Sequence, residues 1–350
     1  MRPTTGWQSL DPATNALTRV TIERREPRPD DVAVRIDYCG VCHSDLHRIH
    51  GLLGEKDLVP GHEATGTVTA TGTAVTGLSV GDRVAIGTIV DSCGECAMCA
   101  VGQENYCYDR PTTTYGGTDR VDGTPTLGAY SREYVLREKF AFPLPDGLDP
   151  AAAAPLLCAG ISVWEPLRAA GVGPGTRVAV AGLGGLGHLA VKLAAALGAD
   201  VTVLSRSAAK ERDARSLGAG GLLVTGDEER VAAARGRFDL VLDTIPGEHD
   251  LAPLLGLLGL DGTLCVLGNP LLTGPQLWAL GAGRKKLTSS GTGGVRQTVE
   301  MLGFCAEHGI TADVEVLPSA EVGTALTRLA AGDVRYRLVL DLSDLDAPAA

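Results

Sequence analysis

Cationic side chains are in deficit along this chain. There are 31 Lys and Arg against 42 Asp and Glu, a formal net charge of −11 over 350 residues. The cations are scattered, whereas a phosphate backbone is gripped by a basic stripe, so nucleic acid is not the expected partner. Long apolar runs are absent too. No stretch approaches the roughly 18–20 apolar residues of a membrane span, so no membrane partner is expected. The opening residues, MRPTTGWQSLDPATNALTRV, lack the apolar centre of a secretory signal. The expected location is therefore the cytoplasm. Thiols stay reduced there, and a cysteine cluster reads as a metal site rather than a disulfide frame.

What is present points to a soluble α/β protein of two domains. A length of 350 residues exceeds one simple domain, and 44% apolar with 21% charged residues is ordinary for a globular chain. The 46 glycines are spread over many short turns, as in a loop-rich α/β architecture.

Four of the nine cysteines fall in CGECAMCAVGQENYC, spaced C-x2-C-x2-C-x7-C. Two-residue gaps let successive thiolates turn inward on a tight loop, and Gly94 and Gly102 suit such a loop. Cys93, Cys96, Cys99 and Cys107 are the expected ligands of a closed, structural zinc at about 2.3 Å. A redox C-x-x-C switch accounts less well for four overlapping cysteines.

The first 150 residues carry short β-like runs: DVAVRIDYCG, ATGTVTAT, DRVAIGTIV and AYSREYVLREKFAFPLP, punctuated by Gly, Pro and Asp. PAAAAPLLCAGISVWEPLRAAG then reads as largely helical, opened by Pro150 and closed by Gly171, with Pro155 and Pro166 expected to break it. From Thr176 strands alternate with helices. TRVAVAG, DVTVLS, GLLV, FDLVLDT and GTLCVLG are near-continuous apolar strands, the signature of a parallel sheet covered on both faces. A helix over GVRQTVEMLGFCAEHG, the strand VEVLP, a helix around ALTRLAAG and the strand YRLVLDL complete the chain.

The strand TRVAVAG runs into Gly182-Leu183-Gly184-Gly185-Leu186-Gly187 and an apolar helix. This is a G-x-G-x-x-G turn in its proper strand–helix context, where glycines admit a pyrophosphate and the helix N-terminus offers it free N–H groups. An NAD site usually places Asp or Glu about 20 residues on. Here Ser205, Arg206 and Ser207 stand instead, with Lys210 beyond. Hydroxyls and cations suit a 2′-phosphate, so the expected cofactor is NADP(H). Thr244, Gly268 and Ser290 are further cofactor candidates.

A second set of metal-type ligands is spread wider. YCGVCHSDLHRIH holds Cys39, Cys42, His43, His47 and His50; VPGHEATG holds His62 and Glu63; PLLCAG holds Cys158. Two sulfurs and an imidazole with an open fourth position would make a catalytic zinc site. Spacing alone does not choose among these residues.

CGVCHSDLH, GHE, CGECAMC…C, LLCAG and GLGGLGHLAVKLA together resemble the zinc-dependent medium-chain alcohol dehydrogenases, nearest their cinnamyl-alcohol-dehydrogenase-like branch. The resemblance runs from about Gly6 to Asp341 and keeps the family's motif order. It implies a GroES-like, β-rich catalytic domain of residues 1–158 and 294–350, and a Rossmann domain of residues 159–293. It implies Cys42, His62 and Cys158 as catalytic zinc ligands, so two zinc ions per chain, with Glu63 as the neighbouring acid. Ser44 and His47 take the place of the family's proton relay, and Ser162 that of a hydroxyl near the nicotinamide. The implied reaction moves hydride between NADPH and the carbonyl of an aromatic or medium aliphatic aldehyde, in a homodimer, with zinc as Lewis acid. Two alternatives are a reductase of iminium ions or conjugated alkenes on the same fold, and a zinc-binding scaffold without activity. The presence of both Ser44 and His47 favours aldehyde reduction.

Other candidates read as structural. His43 and His50 are expected to be exposed loop residues, His188 to pack or cap, Cys265 and Cys305 to fill core, and Trp278 to lie in core or interface. Two departures from the family pattern bear on substrate: GISVWEPL, which sets Trp164 and Glu165 after the zinc cysteine, and the short segment RIHGLLGEKDLVPGHE. Aromatics are only 4% of the chain, yet Trp164 comes six residues after Cys158. That is roughly 9 Å along a helix, so Trp164 is expected to face the substrate channel and favour flat aromatic aldehydes.

Overall fold

The computed structural model describes residues 1–51, 57–268 and 274–347. Within the short segment before His62, residues 52–56 lie outside the described residues. Two compact units divide the chain: residues 1–158 with 293–350, and residues 159–292.

The first unit is built around strand Asp31–Val41, in which Val32, Val34, Ile36, Cys39 and Val41 are all buried. It pairs antiparallel with Ala64–Thr71, Arg337–Asp341 and Glu133–Arg137. Through these it organises a seven-stranded sheet that also includes Val314–Pro318, Arg83–Ile86 and Ala141–Pro143. The run DRVAIGTIV does not stay one strand. It divides into Arg83–Ile86 and Ile89–Asp91, which join different sheets. An antiparallel pair, Arg2–Gln8 with Thr18–Arg24, adds two strands that the opening sequence hardly signals. The C-terminal residues return to this unit: Val314–Pro318 lies parallel to Arg337–Asp341, with helix Val322–Ala330 between them in the chain.

The helical segment around residue 158 is broken at Pro155 but not at Pro166. Asp149 caps helix Pro150–Ala153 by accepting the Ala152 N–H at 2.9 Å, with Pro150 at the first helical position. A 3₁₀ turn over Ala154–Leu157 follows and ends at Cys158. Pro166, expected as a second break, sits inside helix Ala159–Ala169. Its ring removes one backbone bond, but burial of Ile161, Val163, Trp164 and Leu167 on the same helix outweighs that loss.

The second unit carries a six-stranded, all-parallel sheet. Its spatial order is Gly221–Val224, Asp200–Ser205, Arg177–Ala181, Phe238–Asp243, Leu258–Val266, Lys286–Ser289. Counted along the chain this is 3-2-1-4-5-6, with the reversal between Arg177–Ala181 and Phe238–Asp243, where ligands bind at the strands' C-terminal ends. Val178, Val180, Val203, Leu240, Leu242 and Leu264 are fully or almost fully buried, as strands covered on both faces require. The edge strand Lys286–Ser289 escaped sequence reading because its residues KLTS carry a single large apolar side chain. Short helices at Glu228–Ala233 and Ala252–Leu257 escaped for want of length.

Cys265 and Cys305 are fully buried, and burial pushes both thiols up to about 12. Trp278 is not core: it is 86% exposed. Among the described residues no helix is long and apolar enough to cross a membrane.

Trp164 corrects the channel expectation. It is 1% exposed, on helix Ala159–Ala169, with the Arg168 guanidinium 5.5 Å from its ring centre. A helix places its sixth residue where packing demands, and here an indole fills core. Trp164→Ala is expected to cost about 3–5 kcal/mol in urea unfolding, as large-to-small core changes do. A loss below about 1 kcal/mol, with altered selectivity among aldehydes, would restore the channel placement.

Candidate functional site

Strand Asp31–Val41 delivers Cys42 to the N-cap of helix His43–Ile49. The Cys42 sulfur accepts the Ser44 N–H at 3.5 Å, and Asp45, three residues on, accepts the Cys42 N–H at 3.0 Å. This reciprocal cap fixes the thiol's direction. Asp45 is fully buried and does more. It accepts the Gly61 N–H at 3.2 Å and the Tyr130 hydroxyl at 2.9 Å, and its Oδ1 lies 3.3 Å from His62 Nδ1. A carboxylate beside Nδ1 leaves Nε2 to serve as a ligand, similar to the usual surroundings of metal-bound histidine, although the approach falls short of hydrogen-bond geometry. The Tyr115 ring packs 5.5 Å from that of His62.

Cys158 reaches the same place from the end of the 3₁₀ turn, its sulfur 3.9 Å from that of Cys42. Cys42, His62, Glu63 and Cys158 each offer a ligand atom, all within 4.8 Å of one another, and all four are buried. Cys158 and His62 hold the Cys42 thiol well below its ordinary range, despite burial, so the cluster favours a thiolate.

Glu63 is pinned from behind. Both of its carboxylate oxygens accept from Arg337 Nη2, and Oε1 lies 3.9 Å from His62 Nε2. Burial pushes the Glu63 carboxyl up to about 7 against the pull of Arg337. Position 40 must be glycine for this, since a Cβ there would collide with Glu63 Oε2.

The other residues of this region stay outside the cluster. Cys39 is buried in the strand, its sulfur 3.7 Å from the Gly40 carbonyl. His43 is not an exposed loop residue: it opens helix His43–Ile49 and is half-buried, because the chain turns into the helix immediately after Cys42. Ser44 and His47 are exposed on that helix, three residues apart and so on one face. His50 is exposed at the helix end, with Nδ1 2.9 Å from the Pro12 carbonyl.

The four-cysteine loop closes as its spacing suggests. Cys93, Cys96, Cys99 and Cys107 bring their sulfurs within 4.8 Å of one another. The Cys96 N–H points at Cys93 Sγ (3.4 Å) and the Cys93 N–H at Cys107 Sγ (3.5 Å). Backbone N–H groups of Cys99 and Tyr108 pull the Cys96 thiol down to about 6. Buried Glu104 anchors the loop through Lys139 Nζ at 2.7 Å and the Val295 N–H at 2.9 Å.

In the second unit the glycine turn follows strand Arg177–Ala181, and Gly187 starts the helix Gly187–Ala196. Each glycine has a separate reason. Gly182 has φ +93°, a Cβ on Gly187 would collide with the Gly182 carbonyl, and Gly184 faces open space. A tight turn, a close helix approach and an uncovered backbone are what a pyrophosphate cradle requires. Leu183, Gly185 and Leu186 complete that turn. His188 is fully buried, with Nδ1 3.1 Å from the Gly184 carbonyl, and so braces the loop. Arg206, Ser207 and Lys210 are exposed beyond strand Asp200–Ser205, and Lys210 Nζ also reaches the Leu183 carbonyl at 3.3 Å. The Ser205 hydroxyl is engaged locally with Ser207. Thr244 donates to the Ala181 carbonyl at 2.8 Å, Gly268 lies hard against the Ile245 carbonyl, and Ser290 is buried. Ser162 donates to the Gly291 carbonyl at 2.6 Å.

Sequence reading missed Asp45 and Arg337. Asp45 stands at the third helical position after Cys42, where a capping acid is a recognisable signal. Arg337 is 274 residues from Glu63, and no local pattern links them.

Residues 28–146 match the family described as "Alcohol dehydrogenase GroES-like domain", and residues 185–307 that described as "Zinc-binding dehydrogenase". The chain is 47% identical over 337 residues to NADP-dependent alcohol dehydrogenase C of Mycobacterium bovis, covering 95% of this chain and 97% of that protein. The fold is similar to that of the cinnamyl alcohol dehydrogenase SbCAD4 of Sorghum bicolor, with TM-score 0.92, 40% identity, and coverage of 97% and 98%. It is similar also to a Helicobacter pylori CAD complexed with NADP(H), with TM-score 0.89, 32% identity and the same coverage.

The two clusters differ in what metal removal should do. Cys96→Ser is expected to lower the thermal midpoint by about 5–10 °C, because binding energy at a closed site is folding energy. Cys42→Ser should leave the midpoint nearly unchanged and abolish turnover. Equal loss of stability in both variants would contradict this division.

Proposed function

The chain belongs to the zinc-dependent medium-chain alcohol dehydrogenases, in their cinnamyl-alcohol-dehydrogenase-like branch, and we propose that it is an NADPH-dependent aldehyde reductase carrying two zinc ions. An oxidoreductase with a GroES-like domain and a Rossmann-type parallel sheet is the frame for this reading. The observation that carries it is the convergence of Cys42, His62 and Cys158, with Glu63 beside them, in a buried cluster whose histidine is oriented by Asp45.

Cys42, His62 and Cys158 would hold the catalytic zinc, and Cys93, Cys96, Cys99 and Cys107 the structural one. Three protein ligands leave an open position, four do not. When bound, the catalytic ion supplies Lewis acidity to a carbonyl oxygen. NADPH supplies the hydride, so that aldehyde, NADPH and one proton give alcohol and NADP⁺.

The chain's own residues do the rest. Asp45 fixes the His62 tautomer and ring direction. Arg337 holds Glu63 in place without leaving its buried charge unpaired. The Ser44 hydroxyl takes up the proton demand of the product oxygen, and exposed His47, on the same helix face, exchanges that proton with solvent. Gly182, Leu183, Gly184, Gly185, Leu186 and Gly187 receive the pyrophosphate, with Ser162, Thr244, Gly268 and Ser290 as further cofactor contacts. Arg206, Ser207 and Lys210 face the 2′-phosphate, with Ser205 shaping their turn. The similarity to proteins named as cinnamyl alcohol dehydrogenases supports an aromatic or medium aliphatic aldehyde as substrate. A cytoplasmic homodimer is the working unit on this reading.

Loss of NADPH absorbance with a panel of aldehydes, iminium ions and conjugated enals tests the reading. Aldehydes should be reduced, and NADPH used in preference to NADH. Changing Arg206 and Lys210 together to Ala should raise KM for NADPH roughly ten- to hundred-fold and leave that for NADH little changed, the loss expected for charge-assisted contacts. Turnover of iminium ions or enals alone, or equal efficiency with both cofactors, would contradict it.

A further inference from the structure

Buried Asp243 and partly buried His249 form an ionisable pair that the proposed chemistry does not use. Asp243 ends the central strand Phe238–Asp243 of the second unit and is fully buried. Its Oδ1 accepts the Ile245 N–H at 3.2 Å, and its Oδ2 lies 3.0 Å from His249 Nε2. Among the described residues neither Oδ2 nor Nε2 has a hydrogen-bond partner, so each faces the other as a close polar contact only. His249 Nδ1 is 2.8 Å from the Gly247 carbonyl, which can only accept. Nδ1 must therefore carry a proton. In a neutral imidazole Nε2 would then be an acceptor facing an acceptor oxygen, so the 3.0 Å approach is favourable only while the pair carries a second proton. Burial raises the Asp243 carboxyl, which favours keeping that proton.

The loop held by this pair is wedged among the candidate dinucleotide contacts. Thr244 donates its backbone N–H and its hydroxyl to the Ala181 carbonyl, at 3.0 and 2.8 Å. Added Cβ atoms on Gly182 and Gly187 would meet Thr244 Oγ1 at 3.0 and 3.2 Å, and one on Gly268 would collide with the Ile245 carbonyl. Two glycines of the turn and the glycine after the next strand thus close around residues 244–245.

We infer that His249 is a positioning residue for the dinucleotide: by pairing with buried Asp243 it locks the loop from Thr244 to Asp250, and with it Thr244, against the glycine turn. The inference rests on the proposed NADPH-dependent reading. Burial raises the Asp243 carboxyl, so its proton is kept at the acid end; its loss as pH rises sets two acceptors face to face and loosens the loop, and NADPH affinity falls toward alkaline pH. Other ionisable groups nearby are Glu248 and Asp250 on the same loop, and Cys265 on the adjacent strand with Glu165 acting on it. Burial keeps the Cys265 thiol neutral to about 12, outside this range.

The test is calorimetric titration of NADPH into the purified protein from about pH 6 to about pH 9, with kcat measured alongside. At the acid end His249→Ala should weaken Kd roughly tenfold, with a much smaller fall in kcat, and its Kd should no longer vary with pH as the unmodified protein's does. His249→Gln keeps a neutral donor toward Asp243 and should hold near-native affinity that is flat with pH. It decides the matter if the alanine variant fails to fold. Variants with the unmodified protein's Kd and pH dependence would overturn this inference alone. Failure of the unmodified protein to bind NADPH would overturn the proposed function and this inference with it.

Discussion

The Asp45 carboxylate is the constraint on which the first unit's chemistry depends. An isolated carboxylate in a dry interior is strongly disfavoured, and this one is fully buried. It survives because the N–H groups of Cys42 and Gly61, the Tyr130 hydroxyl and the His62 ring all converge on it. Those groups come from three pieces of the structure, since Gly61 and His62 are neighbours in one turn. One starts a helix, one turns the chain ahead of His62, one comes from the loop before strand Glu133–Arg137. The carboxylate therefore sets the spacing between two ligand residues that are twenty positions apart. Removing one member of such a buried set typically costs about 3–5 kcal/mol, because the others are left without partners.

A buried ion pair, Arg337 with Glu63, joins the end of the chain to its beginning. Strand Arg337–Asp341 pairs with Tyr38–Val41, and that register sets Arg337 beside Glu63. Burial works against the guanidinium's charge, but Glu63 and Cys42 more than reverse it, and Arg337 is held firmly protonated. The unit that holds both cysteine clusters is thus assembled from the two ends of the sequence, with the parallel-sheet unit inserted between them.

Legibility followed sequence distance. The four-cysteine loop and the glycine turn were readable because their residues lie within one loop and one turn, where spacing is geometry. The strands of the parallel sheet were readable from their apolar runs, except the edge strand Lys286–Ser289, which has too little apolar surface to announce itself. The buried cluster needed the family resemblance, since Cys42, His62 and Cys158 come from three elements and Cys39 and His43 are equally plausible by spacing. Arg337 and the Asp243–His249 pair were not readable, because tertiary packing alone brings them to their partners. Trp164 and Pro166 misled for one reason: local expectations for an indole and a proline gave way to the burial of a helix face.

The central claim is that two metal ions of different surroundings sit in one chain. X-ray diffraction from crystals of the purified protein, collected on either side of the zinc absorption edge, addresses it without reference to activity. The account predicts two anomalous peaks per chain, one among Cys93, Cys96, Cys99 and Cys107 and one among Cys42, His62 and Cys158. A fully loaded protein with no peak at the second position would contradict it.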